Sequence, residues 1–143
     1  MPDITELENL ARSGKLKKEP GAKTEIVGLI ASGVARMRDA ENETLSFESR
    51  FDLAYNAAHA LSLAALRCRG YRSDNRYLVF QTLPHTIGLP AAQWRVLAKA
   101  HEKRNLAEYE GHFEDDPQLL RDTLAAAKMV HTSLLAKMKS LAD

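Results

Sequence analysis

The run Lys103-Arg104-Asn105-Leu106-Ala107-Glu108-Tyr109-Glu110-Gly111 gathers side chains suited to phosphate chemistry. Arg104 offers a permanently charged, planar fork that matches two phosphate oxygens. Lys103 and Asn105 add donors, Glu108 and Tyr109 add groups that share or move protons, and His101 and His112 flank the run. Imidazole titrates near neutral pH, so either histidine is a candidate general base. On a helix at about 100° per residue, Trp94, Leu97 and Ala98 share one arc. His101, Arg104, Asn105, Glu108 and Tyr109 continue that arc. A core-facing stripe therefore turns from apolar to charged without changing direction. Charge there is costly unless paired or lining a cleft, which makes the cluster a candidate site. The plain alternative is a helix that outruns the core and ends in water.

Within this cluster Arg104, Tyr109 and His112 are the candidate catalytic residues, and His101, Lys103, Asn105 and Glu108 the candidate ligand contacts. Glu108 stands four residues after Arg104, so an intrahelical ion pair is its ordinary explanation. A second group, Arg67, Arg69, Arg72 and Arg76 with Tyr71 and Tyr77, has the arginine and aromatic content of a single-strand RNA surface. Cations in the last turn of a helix are also stabilised by its dipole, and the structural reading is favoured. Glu108, Glu110, Glu114, Asp115 and Asp116 match no metal-binding loop, and no metal or other cofactor is expected. His59 has no second ligand at metal spacing and is expected to be a buried or interface residue. Cys68 sits among arginines that could lower its pKa, but a small buried side chain is the favoured role. Trp94 reads as a core anchor.

The elements that must hold these residues read as helices, with no convincing strand. Asp3 and Thr5 can cap a first helix ending near Ser13, and residues 15–22, containing Pro20-Gly21, read as a loop. Thr24 can cap a second helix, with Ile26, Leu29, Ile30, Val34 and Met37 at helical spacing and an end near Glu41. Ser46 opens a long third helix, Ala- and Leu-rich nearly all round, which predicts a central position; Gly70 ends it. Residues 76–83 predict a short helix stopped by Pro84. Pro90 opens the helix that carries Arg104, and Gly111 closes it. Asp116 caps a final helix over 117–141. The expected fold is all-α, an up-and-down bundle of four to five main helices.

At 143 residues the chain is expected to be a single domain over 1–143, with 1–22 its least defined part. One cysteine, Cys68, rules out an internal disulfide and suits a reducing, cytoplasmic setting. The acidic start, Met1-Pro2-Asp3-Ile4-Thr5-Glu6, lacks a basic segment followed by an apolar one, so no secretory signal is expected. No window approaches the roughly 20 apolar residues of a membrane helix, so no membrane association is expected. The net charge is +1, so any nucleic-acid binding has to come from a local patch.

Arg104-Asn105, followed by Tyr109 at the position where many members carry histidine, resembles the motif of the HEPN superfamily. These are small helical domains of bacterial toxin–antitoxin and nucleotidyltransferase-associated systems. His112 follows Arg104 after seven residues, beyond the usual four to six. Upstream, Arg50-Phe51-Asp52-Leu53-Ala54-Tyr55-Asn56-Ala57-Ala58-His59-Ala60, then Leu66 and Gly70-Tyr71-Arg72, resemble the superfamily's long helix and following turn. The resemblance covers about 24–143.

The resemblance implies a homodimer in which two protomers bring Arg and His into one cleft. There the His would act on a ribose 2′-hydroxyl and the Arg would hold the phosphate, without metal. Tyr109 suits the base role poorly, because a phenol has a pKa of about 10. It could still bond a phosphate or stack on a base. The expected function is therefore binding of RNA or nucleotide in a toxin–antitoxin or defence-type system, with weak or no nuclease activity. The alternatives are an active metal-independent endoribonuclease and a non-catalytic module docking on a nucleotidyltransferase or other partner.

Overall fold

Ser46 accepts a hydrogen bond from the Ser49 amide at 3.1 Å and starts the helix around which the rest of the chain is arranged. In a computed structural model that describes residues 4–142, this helix is α3 (Phe47–Cys68). It follows α1 (Ile4–Arg12), β1 (Lys17–Lys18) and α2 (Lys23–Ala40). After it come β2 (Tyr71–Arg72), α4 (Arg76–Gln81), α5 (Leu83–Thr86), α6 (Ala91–Glu110) and α7 (Pro117–Ala142). The fold is all-α, a bundle whose four long helices are α2, α3, α6 and α7. Among the described residues no helix is long and apolar enough to cross a membrane. Asp3, expected to help cap α1, lies outside the described residues.

The composition of α3 explains its place. Phe51, Ala54, Tyr55, Ala57, Ala58, Ala60, Leu61, Ala64, Ala65 and Leu66 are all buried, on more than one face. Small side chains let neighbours approach closely, and α2, α4, α5, α6 and α7 all touch it. The tightest approach is at Gly33 of α2, where an added Cβ would lie 2.6 Å from Leu61 Cγ. Ile26 and Met37 are buried and Leu29, Ile30 and Val34 pack beside them, so the apolar stripe of α2 faces this core. A smaller cluster of Leu7, Leu16, Leu66, Tyr71, Leu78 and Val79 joins α1 to the far end of α3.

Three local expectations are corrected. Thr24 does not cap α2, which begins at Lys23 with Ala22 as an N-cap that makes no side-chain bond. Its first turn is tied down instead by Glu25, which pairs with Arg67 at 3.0 Å and Arg72 at 2.6 Å. Pro84 does not stop a helix. α4 ends at Gln81, and Pro84 sits in the first turn of α5, where a missing N–H costs nothing. Residues 15–22 are not wholly irregular either, because Lys17–Lys18 pair antiparallel with Tyr71–Arg72. Two residues are too few to leave a periodic signal.

The two helices around the candidate site end where chain chemistry says they should. Gly111 adopts φ +80° just beyond α6, the left-handed conformation that closes a helix. Asp116 accepts from the Leu119 amide at 3.0 Å and caps α7.

Candidate functional site

The charged stripe of α6 packs on α3 and α4. His101 is fixed at both ring nitrogens, with the Tyr55 hydroxyl 2.8 Å from Nδ1 and Asn105 Nδ2 3.0 Å from Nε2. Which partner donates in each contact is set by the imidazole tautomer. The His101 and Tyr55 rings are nearly parallel, 26° apart with centroids at 6.1 Å.

Arg104 lies over the same Tyr55 ring, its guanidinium carbon 4.9 Å from the centroid. Its Nε donates to Asp52 at 3.3 Å, and Nη1 pairs with Glu108 at 3.4 Å, the i,i+4 pair the spacing predicts. Arg76, from the start of α4, reaches the ring as well, with its guanidinium carbon 5.5 Å from the centroid. It donates to Asn56 Oδ1 at 2.9 Å. Among the described residues no carboxylate lies within ion-pair distance of Arg76. Two guanidiniums, two histidines and a phenol thus meet where α3, α4 and α6 converge.

The electrostatics follow from that crowding. Burial, reinforced by Arg76, His101 and Arg104, pushes the His59 imidazole down to about 4. Burial also lowers His101, with Arg104 and Arg76 adding to it against a weak opposing pull from Glu102. Burial raises the Tyr55 phenol, although Arg76 and Arg104 favour its anion. Both imidazoles are therefore neutral at pH 7, and the fixed positive charge resides on the arginines.

The residues expected from sequence separate into two groups. His101, Arg104, Asn105 and Glu108 are together at this junction. Arg104, Glu108 and His112 also line one pocket of about 320 Å³ with Glu48, Asp52, Phe51 and Phe113. Tyr109 is 92% exposed and projects into solvent. Lys103 is turned toward the start of α7, 3.6 Å from Asp116 and over the Phe113 ring.

The second arginine group divides as well. Arg67 is 3% exposed and bonds Glu25, the Glu19, Pro20 and Tyr71 carbonyls, and the Glu19 carboxylate. Arg69 donates to the Thr86 carbonyl, and Arg72 pairs with Glu19 and Glu25. These three and the buried Tyr71 are structural. Burial raises the Cys68 thiol pKa, outweighing Arg69. His59 lies edge-on to Phe80, 6.0 Å between centroids. Trp94 packs at the core margin against Tyr77. Among the described residues no three His, Cys, Asp or Glu side chains are grouped to hold a metal ion.

Sequence reasoning left Asp52, Tyr55, Asn56, His59 and Arg76 out of the site. A signal existed in α3: Asp52, Asn56 and His59 form a polar stripe at i, i+4 and i+7 in an otherwise Ala-rich helix. Comparison with protein-family models, with curated proteins and with solved structures finds no match for this chain.

Proposed function

We propose that this chain is a HEPN-like protein of a toxin–antitoxin or defence-type system. It binds RNA or nucleotide phosphate at Arg104, in a cleft completed by a second copy, with weak or no nuclease activity. The observation that carries the reading is the pair of guanidiniums, Arg104 and Arg76, over the Tyr55 ring beside two neutral histidines. Arg104 is 26% exposed, and its partners Asp52 and Glu108 are 57% and 64% exposed. Such pairs contribute about 0–1 kcal/mol each, so a bidentate phosphate can take their place. Leu106 and Tyr109, one turn apart on α6, are the apolar surface offered to the second copy.

Weak cleavage follows from the state of the candidate bases. Tyr109 is a phenol where the motif would carry an imidazole, and both nitrogens of His101 are already engaged. A metal-independent endoribonuclease is the second reading, favoured by the shared pocket of Arg104 and His112.

The test is RNA binding and cleavage in excess EDTA, comparing wild type with Arg104→Ala. Binding lost in the variant, with no cyclic-phosphate fragments from either protein, supports the first reading. Arg104-dependent fragments move the assignment to the second. Failure of the wild type both to bind and to cleave RNA removes both readings and leaves a docking role. A monomer by light scattering at micromolar concentration contradicts the shared cleft.

A further inference from the structure

Arg76 and Tyr77 stand at the end of the arginine-rich run, yet the fold separates them from it. Arg67 and Arg72 are consumed by carbonyls and carboxylates around the loop before α2, and Arg69 by the Thr86 carbonyl at the end of α5. Arg76 is delivered instead to the Tyr55 ring that Arg104 also covers. The two cations differ in one respect. Arg104 is shared between Asp52 and Glu108, whereas Arg76 is held by the neutral Asn56 amide and the Tyr55 phenol. A half-buried guanidinium without a counter-charge is desolvated and unneutralised, so an incoming anion gains most there.

Beside it, Tyr77 is half-buried. Its ring meets Trp94 edge-on at 6.2 Å and lies tilted on His101 at 5.8 Å. Trp94 is also half-buried, so two partly exposed aromatic side chains meet between α4 and α6, with Tyr77 next in sequence to Arg76. Cations near partly exposed aromatic rings are what a single strand requires, because phosphates need positive charge and an unpaired base needs a stacking partner. A duplex keeps its bases stacked inside and has no use for such a platform.

Resting on the proposed binding at Arg104, we infer that Arg76 is a second phosphate contact and Tyr77, backed by Trp94, a base-stacking platform, so that the ligand is single-stranded RNA.

The test is fluorescence anisotropy with an end-labelled ten-nucleotide single-stranded RNA and the same RNA annealed to its complement. Proteins compared are wild type, Arg104→Ala, Arg76→Gln, Tyr77→Leu and Tyr77→Phe, each checked for helical content. Tighter binding of the single strand is expected, with Arg76→Gln and Tyr77→Leu each weakening it by about tenfold. Tyr77→Phe keeps the aromatic face and should bind as wild type does, which separates stacking from a folding defect. Wild-type affinity in Arg76→Gln and Tyr77→Leu, with Arg104→Ala still defective, overturns this inference and leaves the Arg104 reading standing. Equal affinity for the duplex overturns it too. No RNA binding by the wild type removes both.

Discussion

The Tyr55 hydroxyl lies 2.8 Å from His101 Nδ1 and joins α3 to α6 across 46 residues of sequence. Tyr55 is fully buried, so its oxygen has no water to fall back on. Removing the hydroxyl leaves the His101 ring nitrogen without its partner. Tyr55→Phe should lower stability by about 1–2 kcal/mol in urea unfolding, with helical content unchanged. An unaltered midpoint and slope would show that the bond contributes nothing.

His59 makes the fold pH-sensitive with a defined sign. The unfolded imidazole takes up a proton near 6.5, and the folded one only near 4. Below 6.5 the unfolded state therefore binds the extra proton and is favoured. The contribution is complete above pH 6.5 and lost as pH falls from 6.5 toward 4. Its size is on the order of 2–3 kcal/mol. Carboxylates titrate in part of the same range, so the comparison is with His59→Leu, which should lose less stability between pH 7 and pH 4.5. In wild type, the His59 ring proton resonance should stay unshifted from pH 7 to 5.5. A midpoint near 6.5 would contradict the burial assigned to it.

Two glycines of α2 should respond oppositely to alanine. At Gly33 the new methyl would sit 2.6 Å from Leu61 Cγ and 3.3 Å from the Ala57 carbonyl, so α2 must move off α3. A loss of about 1–3 kcal/mol is expected. At Gly28 nothing lies within 4 Å, and alanine should stabilise the helix by about 0.5–1 kcal/mol. Thermal melts of the pair check this, and equal effects would show that α2 does not approach α3 so closely.

Arg67 is expected to be the most damaging of the arginines to lose. Arg67→Ala would strip partners from Glu25 and from the Glu19, Pro20 and Tyr71 carbonyls together. The two glutamates keep Arg72, so the loss comes mainly from carbonyls left without a donor, about 1–3 kcal/mol for each buried one. Arg76→Ala, which takes a donor from the Asn56 side-chain oxygen while the Tyr55 hydroxyl keeps His101, should cost far less. Denaturant midpoints compare the two, and similar losses would refute the division between a structural arginine and the one proposed to meet a ligand.

The sequence made some of this legible and hid the rest for identifiable reasons. The bounds of α6 could be read because Pro90 and Gly111 act through local backbone geometry. Ser46 and Asp116 announced α3 and α7 in the same way. The centrality of α3 followed from apolar residues on every face. Pro84 misled, because proline ends one helix and begins another with the same covalent restriction. The pairing of Lys17–Lys18 with Tyr71–Arg72 depends on distant partners. The candidate site was half visible for that reason. His101, Arg104, Asn105 and Glu108 share one helix face, while Arg76 and Tyr55 join them only through tertiary packing. Tyr109 continued the stripe on paper and left it in space, because α6 has passed the core by that turn.

Asp52, Tyr55, Asn56 and His59 all ride on α3, whose buried residues run from Phe51 to Arg67. A helix clamped on so many sides has little freedom left to surrender when a ligand arrives. For the proposed phosphate ligand, the ordering entropy of association would then fall on a few arginine side chains rather than on backbone. Preorganisation of this kind leaves dissociation, more than encounter, to distinguish one ligand from another.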